Sequence, residues 1–319
     1  MREDTHRGVV ETHTGALWRH EPGLCGDTHQ DVILPMKKFR KIIKFVGFLN
    51  AIKVIAGAFF INTYNRFFRN SVNEFNTLST IDRNYSLQFT ANKTLVQVAA
   101  GPYQIFCRRF TSDLAVFDQI FLRDDVKYLI EILKREKYNT LNTIIDAGAN
   151  IGLFTLRMNM EFPGSAFIVI EPDKNNFVIL KKNLEQNKIN SRFENTGIWM
   201  DSRKLYFDRS FRDKKEWSVS LTEEPVSEDF TEALSLNDII TRHSLTRIDI
   251  LKIDIEGGER YIFNAEKKGL EFLAMTKVLV IEIHDEFNIR ESIIGLLTDA
   301  GFTTNNSGEY LLAFNTKLN

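Results

Sequence analysis

Ile144-Ile145-Asp146-Ala147-Gly148-Ala149-Asn150-Ile151-Gly152 is the stretch on which the fold turns. An apolar run passes into a turn of small residues and then, from Asn150, into a helical pattern. Small residues let backbone approach a ligand closely, and a helix start offers N–H groups with no intrahelical partner. A dinucleotide fingerprint G-x-G-x-x-G set on Gly148 requires glycine at Asn150 and Leu153, and neither position has it. Asp146, an acid opening the turn, suits the cationic amino group of an amino-acid cofactor better than a pyrophosphate.

The next apolar run downstream, Ala166 to Ile170, ends in Glu171-Pro172-Asp173, roughly 20 residues beyond the glycine turn. A carboxylate there can accept hydrogen bonds from both hydroxyls of a ribose, whereas Asp173 stands where a helix N-cap belongs. Further on, RIDILKID and KVLVIEI read as strands, each separated from its neighbours by helical pattern. Such alternation predicts a parallel sheet covered on both faces. At the end, GFTTN and YLLAF flank Asn306-Ser307-Gly308-Glu309 and predict an antiparallel hairpin. Upstream, SLQFT, TLVQVAA and QIFCRRF read as short strands, the last two joined at Gly101-Pro102. Helices are expected over 113–121 and 124–138.

Four segments, DAGANIGLFT, VIEPDKNNF, ILKIDIEGGE and IEIH, in this order and spacing, closely resemble the FkbM family of S-adenosylmethionine-dependent methyltransferases. RRFTSDLAVFDQIF is similar to a segment that usually precedes that family's cofactor domain. The resemblance spans about Tyr85 to Phe314. It implies an α/β, Rossmann-like class I methyltransferase fold, a seven-stranded, mostly parallel sheet with an antiparallel C-terminal hairpin, behind an N-terminal helical and β extension. Carried over by motif, Asp146, Gly148, Asn150 and Gly152 would cradle the methionine end of S-adenosyl-L-methionine, and Glu171 would hold the ribose. The adenine would lie around Glu194, Asn195 and Thr196, with Asn195 the chosen contact.

Methyl transfer from a sulfonium is an in-line displacement that needs alignment, exclusion of water and, for a hydroxyl acceptor, somewhere for a proton to go. The reacting centre is expected at the ends of the fourth and fifth strands. Asp254, His284 and Glu256 are therefore the candidate catalytic residues. Strand alternation would put Lys252, Asp254 and Glu256 on one side if the strand runs that far. Lys252, charged inside an apolar strand, needs a partner, for which Glu282 is the expected one. A magnesium site from Asp254, Asp285 and Glu282 is a rival arrangement, disfavoured by the histidine; no metal is expected. An NPPY-like tetrad would favour N-methylation, but Ile253-Asp254-Ile255-Glu256 stands in its place, so oxygen is preferred.

Phe207, Phe211 and Trp217, with Arg209, Arg212, Lys214 and Lys215 among them, lie between the third and fourth strands of the expected sheet. Aromatic faces beside polar groups suit sugar rings, nucleic acid, or merely a packed hairpin. By family analogy a small-molecule or glycan hydroxyl is the first choice of acceptor. The alternatives are a noncatalytic cofactor-binding scaffold and an N- or RNA-methylating enzyme of the same fold.

The whole chain, 319 residues with 43% hydrophobic and 26% charged, carries a net charge of −1, which argues against whole-protein attraction to nucleic acid. Cys25 and Cys107 form neither a disulfide framework nor a CxxC metal site, so a reducing, cytoplasmic setting is expected. Residues 1–35 lack periodicity and read as a disordered tail; their histidines, His6, His13, His20 and His29, are too loosely spaced for a metal site. Met36, followed by two lysines, resembles a start, which would make the tail an upstream extension. Residues 36–84 read as a basic, apolar helical arm and linker. Lys44 and Lys53 interrupt its apolar run, so neither a spanning helix nor a secretion signal is expected there. Peripheral contact of residues 36–70 with an anionic membrane and packing as a basic arm on the protein both remain open. Residues 85–140 are expected as an N-terminal subdomain and 141–319 as the S-adenosylmethionine-binding domain. Oligomeric state is not legible.

Overall fold

The computed structural model describes residues 66–91, 94–210, 219–263 and 269–318, with positions 40, 43, 51, 52 and 55 besides. The expected tail, most of the basic arm, and Phe211, Arg212, Lys214, Lys215 and Trp217 lie outside the described residues. The chain enters through helix α1 (Arg66–Asn84) and a small antiparallel sheet of β1 (Ser86–Phe89), β2 (Leu95–Ala100) and β3 (Tyr103–Arg108). The turn at Gly101-Pro102 joins β2 to β3 as expected. The helix expected over 113–121 divides into α2 (Asp113–Phe117) and a π-helical turn, Asp118–Leu122. The next, α3 (Lys127–Arg135), is shorter than expected because Asp124 and Lys137 take left-handed φ of 56° and 62° at its two ends.

The strand–turn–helix stretch gives β4 (Thr143–Ala147) and α4 (Leu153–Glu161), followed by β5 (Ala166–Ile170), α5 (Lys174–Gln186) and β6 (Ser191–Glu194). An insertion, β7 (Gly197–Ile198), β8 (Arg203–Asp208), β9 (Ser220–Thr222) and β10 (Phe230–Leu234), makes a separate sheet in the order β7-β10-β8-β9. The chain then returns through α6 (Leu236–Arg242), β11 (Ile248–Ile253), α7 (Glu259–Phe263), α8 (Phe272–Met275), β12 (Thr276–Glu282), α9 (Arg290–Ala300), β13 (Phe302–Ser307) and β14 (Tyr310–Asn315). Seven strands form the main sheet, ordered β13-β14-β12-β11-β4-β5-β6. From β12 to β6 all neighbours are parallel, and β14 runs antiparallel between β12 and β13. This is the Rossmann-like class I methyltransferase arrangement.

Strand alternation separates the core into two layers. Ile144, Phe167, Val169, Ile250, Val278, Val280 and Leu312 face α4, α5 and the N-terminal elements. Ile145, Ile168, Ile170, Leu251, Ile253, Leu279, Ile281 and Leu311 face α6, α8 and α9. At their C-terminal ends the strands place Asp146, Lys252 and Glu282 on the first face, where polar side chains succeed apolar ones.

The N-terminal sheet docks by a device invisible to periodicity. Asn187 accepts from the Gln104 amide at 2.8 Å and donates to its carbonyl at 2.9 Å. Asn183, one helical turn earlier, accepts from the Phe106 amide at 2.7 Å and donates to its carbonyl at 3.1 Å. The amides of Asn183 on α5 and of Asn187 at its C-cap thus pair alternate residues of β3 as a neighbouring strand would, satisfying an edge that would otherwise be left open. A buried pair, Arg109 Nε to Glu74 Oε1 at 2.8 Å, ties α1 to the end of β3. No helix among the described residues is long and apolar enough to cross a membrane.

Candidate active site

A cavity of about 360 Å³ opens over the C-terminal ends of β4, β5, β11 and β12. That is within the size range of small-molecule sites. Its floor is the turn after β4. Gly148 holds a φ of 81°, and a Cβ there would stand 1.7 Å from the Asp254 carbonyl oxygen, so the turn passes directly against the end of β11. Gly152, at φ 85°, has another reason to be glycine: a Cβ would meet Leu180 at 2.7 Å, where α4 starts against α5. It is a packing residue and does not line the cavity.

One end of the cavity is built around Glu171. Glu171, 6% exposed, accepts from the Asn150 amide with one oxygen and from the Asp173 amide with the other, both at 2.9 Å. Burial pushes its carboxyl up to about 8, with the nearby Asp173 charge adding and the backbone donors opposing. Asp173 caps α5, accepting from the amides of Asn175 and Asn176, and Arg209 clamps it at 2.8 Å. Of the expected adenine contacts, Thr196 lines the cavity with Phe207 and Leu221. Asn195 instead donates to the Glu171 and Pro172 carbonyls, shaping the loop. Glu194 is taken by Arg242 and His243. Asn150 lines the cavity at a φ of 49°, its Oδ1 buried without a hydrogen-bond partner among the described residues. An orphaned acceptor beside a buried carboxylate fits a ligand that brings its own donors, as the amino and hydroxyl groups of S-adenosylmethionine do.

The other end corrects three expectations. Lys252 does not pair with Glu282; its Nζ lies 3.0 Å from Asp254 Oδ2 and 3.4 Å from Asp146 Oδ1, and donates to the Gly148 carbonyl at 3.2 Å. The reason is register, since β11 sets Lys252 opposite Asp146 on β4. Burial opposes the Lys252 charge, but Asp254 and Asp146 hold its ammonium above the ordinary lysine range. Asp146 itself is fully buried, accepts from Thr155 Oγ1 at 2.7 Å, and stands behind the cavity wall rather than in it.

The second correction concerns alternation beyond β11. The strand ends at Ile253, and Glu256 takes a left-handed φ of 53°, so Asp254 and Glu256 line the cavity from a turn rather than from one strand face. The third is His284, which is 3% exposed and absent from the cavity wall. Its Nε2 lies 3.4 Å from Glu256 and its Nδ1 3.2 Å from Glu259. Burial opposes its charge, yet these two carboxylates hold the imidazolium up to about 11. Nδ1 is also 3.3 Å from the Gly257 amide, which only an unprotonated nitrogen could accept from; the two carboxylates outweigh that neutral amide, and the ring is charged. A charged, buried imidazole has no lone pair for a proton at neutral pH.

Glu282, Tyr310 and Glu309 complete this end, together with Gln119, Ile120 and Arg123 of the π-helical turn and the residue after it. Gln119 donates to Glu309 at 2.9 Å, joining that turn to the tip of the β13–β14 hairpin. Asp285, the imagined metal ligand, is engaged by Arg290 at 2.7 Å on the surface. No group of three or more His, Cys, Asp or Glu placed to hold a metal ion occurs among the described residues. The sequence reading missed the cover from residues 116–123; a conspicuous signal was absent, because a π turn has no periodicity of its own. For Glu282 the signal was present, as an acid closing an apolar strand.

A seven-stranded sheet in this order, with an antiparallel strand between β12 and β13 and a cleft over its strand ends, is the arrangement of the class I methyltransferase fold. Residues 146–304 match the family described as Methyltransferase FkbM domain, so the chain carries a domain of the FkbM methyltransferase family and is an S-adenosylmethionine-dependent methyltransferase. It is 27% identical over 191 residues, 50% of this chain and 73% of the relative, to methyltransferase sdnD of Sordaria araneosa. It is 23% identical over 249 residues, 68% of this chain and 88% of the relative, to 31-O-demethyl-FK506 methyltransferase FkbM of Streptomyces tacrolimicus. Among solved structures, the METTL16 methyltransferase domain is similar with a TM-score of 0.43 at 13% identity, over 79% of this chain and 96% of that one.

Proposed function

We propose that the chain methylates a hydroxyl oxygen of a sugar, glycan or other polyhydroxylated metabolite. The observation that carries this reading is the acidic character of the acceptor end, where Asp254, Glu256, Glu282 and Glu309 share one wall with Tyr310. Carboxylates accept from hydroxyls and repel phosphates, which favours a polyol over RNA. A second groove, of about 660 Å³, shares Arg123, Glu309 and Tyr310 with the cavity and adds Tyr128 and Asn306, a polar lane by which a large acceptor could reach the centre. The relative from Streptomyces tacrolimicus carries an O-demethyl acceptor in its name, which also supports oxygen.

In this reading the bound cofactor supplies an electrophilic methyl on a positively charged sulfur. Glu171 accepts from the ribose hydroxyls, Thr196, Phe207 and Leu221 enclose the base, and Asn150 Oδ1 accepts from the methionine ammonium. Lys252, fixed by Asp146 and Asp254, faces the methionine carboxylate. Asp254 and Glu256 orient the acceptor, and His284 is a positioning residue that holds Glu256 in its left-handed turn. Residues 116–123 cover the centre and keep out water, which would otherwise compete as acceptor.

An acceptor screen with methyl-labelled S-adenosylmethionine tests the reading. Neutral oligosaccharides, glycosides and polyhydroxylated macrolides are set against RNA and amines. Label in a base-stable methyl ether of a polyol supports it; label in RNA or in an amine overturns it.

A further inference from the structure

We propose that Glu282 takes the acceptor's proton during methyl transfer, and that the positive sulfur of the bound cofactor is what makes it able to do so. The inference rests on the hydroxyl-methylating reading above and names its base. Asp254, Glu256, His284 and Glu282 each bring to the strand ends a group that could do that work. Asp254 has its charge engaged by Lys252 at 3.0 Å, Glu256 is turned toward His284 at 3.4 Å, and His284 is a buried cation between two carboxylates. Glu282 differs. It lines the cavity at the last residue of β12, paired in register with Tyr310, and makes no hydrogen bond or ion pair among the described residues.

The surroundings of Glu282 are anionic on several sides. Asp254 and Glu256 act on it from the turn after β11 and Glu309 from the hairpin, while the neutral Tyr310 pairs with it in register from β14; His284, two residues on, is the opposing charge. Lys252 is near, but Asp146 and Asp254 already claim its ammonium. Burial first, and the Asp254 charge next, push Glu282 up to about 9, so without a ligand it keeps its proton at neutral pH. A positive sulfur entering the cavity adds an opposite charge close by, favours the ionised form and expels that proton. The carboxylate is then ready. As the acceptor oxygen forms its bond to the methyl, the carbon–sulfur bond breaks with its electrons left on sulfur, and the O–H proton passes to Glu282. Sulfur is now neutral, and Glu282 is again the protonated acid that its surroundings favour.

The test compares proton release on binding S-adenosylmethionine and S-adenosylhomocysteine, by calorimetry of the full chain in buffers of different ionisation enthalpy at pH 7.5. Both ligands carry the ribose, so any proton from Glu171 appears with both; only the sulfonium acts on Glu282. The expected result is about one proton more released by S-adenosylmethionine, with Glu282→Gln binding S-adenosylhomocysteine within about threefold of wild type but losing the difference in proton release and, by linkage, about tenfold or more in affinity for S-adenosylmethionine. Equal release by the two ligands in wild type, or a difference that survives E282Q, overturns the proposal. Failure of either ligand to bind would instead strike the cofactor site itself. With an acceptor from the screen, E282Q should lower kcat by roughly a hundredfold or more at saturating S-adenosylmethionine; an unchanged kcat overturns the proposed role.

Discussion

Replacing Glu171 with glutamine separates the ribose-holding role from mere loop architecture, through the pH at which the difference appears. In the ligand-free protein the carboxyl sits at about 8, so at pH 7 binding a diol that donates two hydrogen bonds first requires ionisation. That costs about 1.4 kcal/mol at pH 7 and about 2.7 at pH 6, at 1.36 per unit. Against it stand two hydrogen bonds to a charged acceptor, each about 1.5–3 kcal/mol. Wild-type affinity should therefore rise by about tenfold per pH unit between pH 6 and pH 8, then level off. E171Q presents one acceptor oxygen and no charge, so its affinity should be flat over this range. The gap should grow from near unity at pH 6 to about a hundredfold at pH 8.5. S-adenosylhomocysteine is the ligand to use, because its neutral sulfur leaves Glu282 out of the titration. Without ligand, the variant should lose only about 1–2 kcal/mol, because one of the amides of Asn150 and Asp173 loses its acceptor. A gap independent of pH, or E171Q binding like wild type at pH 8.5, would refute the reasoning.

Gly148→Ala should abolish cofactor binding and cost more than about 4 kcal/mol in urea denaturation. The added Cβ would meet the Asp254 carbonyl at 1.7 Å, a backbone atom that cannot swing aside, at a φ of 81°. Asn183→Leu leaves the Phe106 amide and carbonyl and the Ile151 carbonyl without this partner. It should lower stability by about 2–4 kcal/mol; an unchanged urea midpoint would mean that the N-terminal sheet docks by other contacts. Stability of the ligand-free protein should fall as pH rises from 6 to 8.5. Glu171 and Glu282 are raised to about 8 and about 9, so what they contribute is full below pH 4.5 and lost on rising through those values. His284, raised to about 11, contributes fully below pH 6.5 and loses that contribution as pH rises toward 11, in the same direction. Thermal melting with rising midpoints over this interval would contradict all three assignments.

Periodicity made the sheet legible, because its strands are apolar runs between helices and its hairpin has a Gly-containing turn. The glycine turn and Glu171 were legible for a different reason: a cleft at strand ends can be built from few residue types. What stayed hidden depends on register and on local breaks. Nothing in LKID says that Lys252 lies across from Asp146, since that follows from how β11 aligns with β4. Nor does IEGG reveal that Glu256 is left-handed, although two glycines after it mark a tight turn. His284 looked like a base because an isolated histidine has a pKa near neutrality; Glu256 and Glu259, which change that, meet it only in the folded chain. The family resemblance gives Gly152 and Asn195 to the ligand, whereas a Cβ at Gly152 would meet Leu180 and Asn195 donates to the Glu171 and Pro172 carbonyls. Phe207, expected to meet an acceptor or to pack in a hairpin, lines the cavity with Thr196 and Leu221, and Arg209 beside it serves Asp173.

The most direct measurement is a crystal structure of the protein with S-adenosylhomocysteine. The account predicts the ribose hydroxyls within hydrogen-bond distance of Glu171, the methionine ammonium at Asn150, and the sulfur directed toward Asp254 and Glu282. A ligand lying in the reverse sense, with its adenine among Asp254, Glu256 and Glu282, or a ligand outside this cavity, would contradict it.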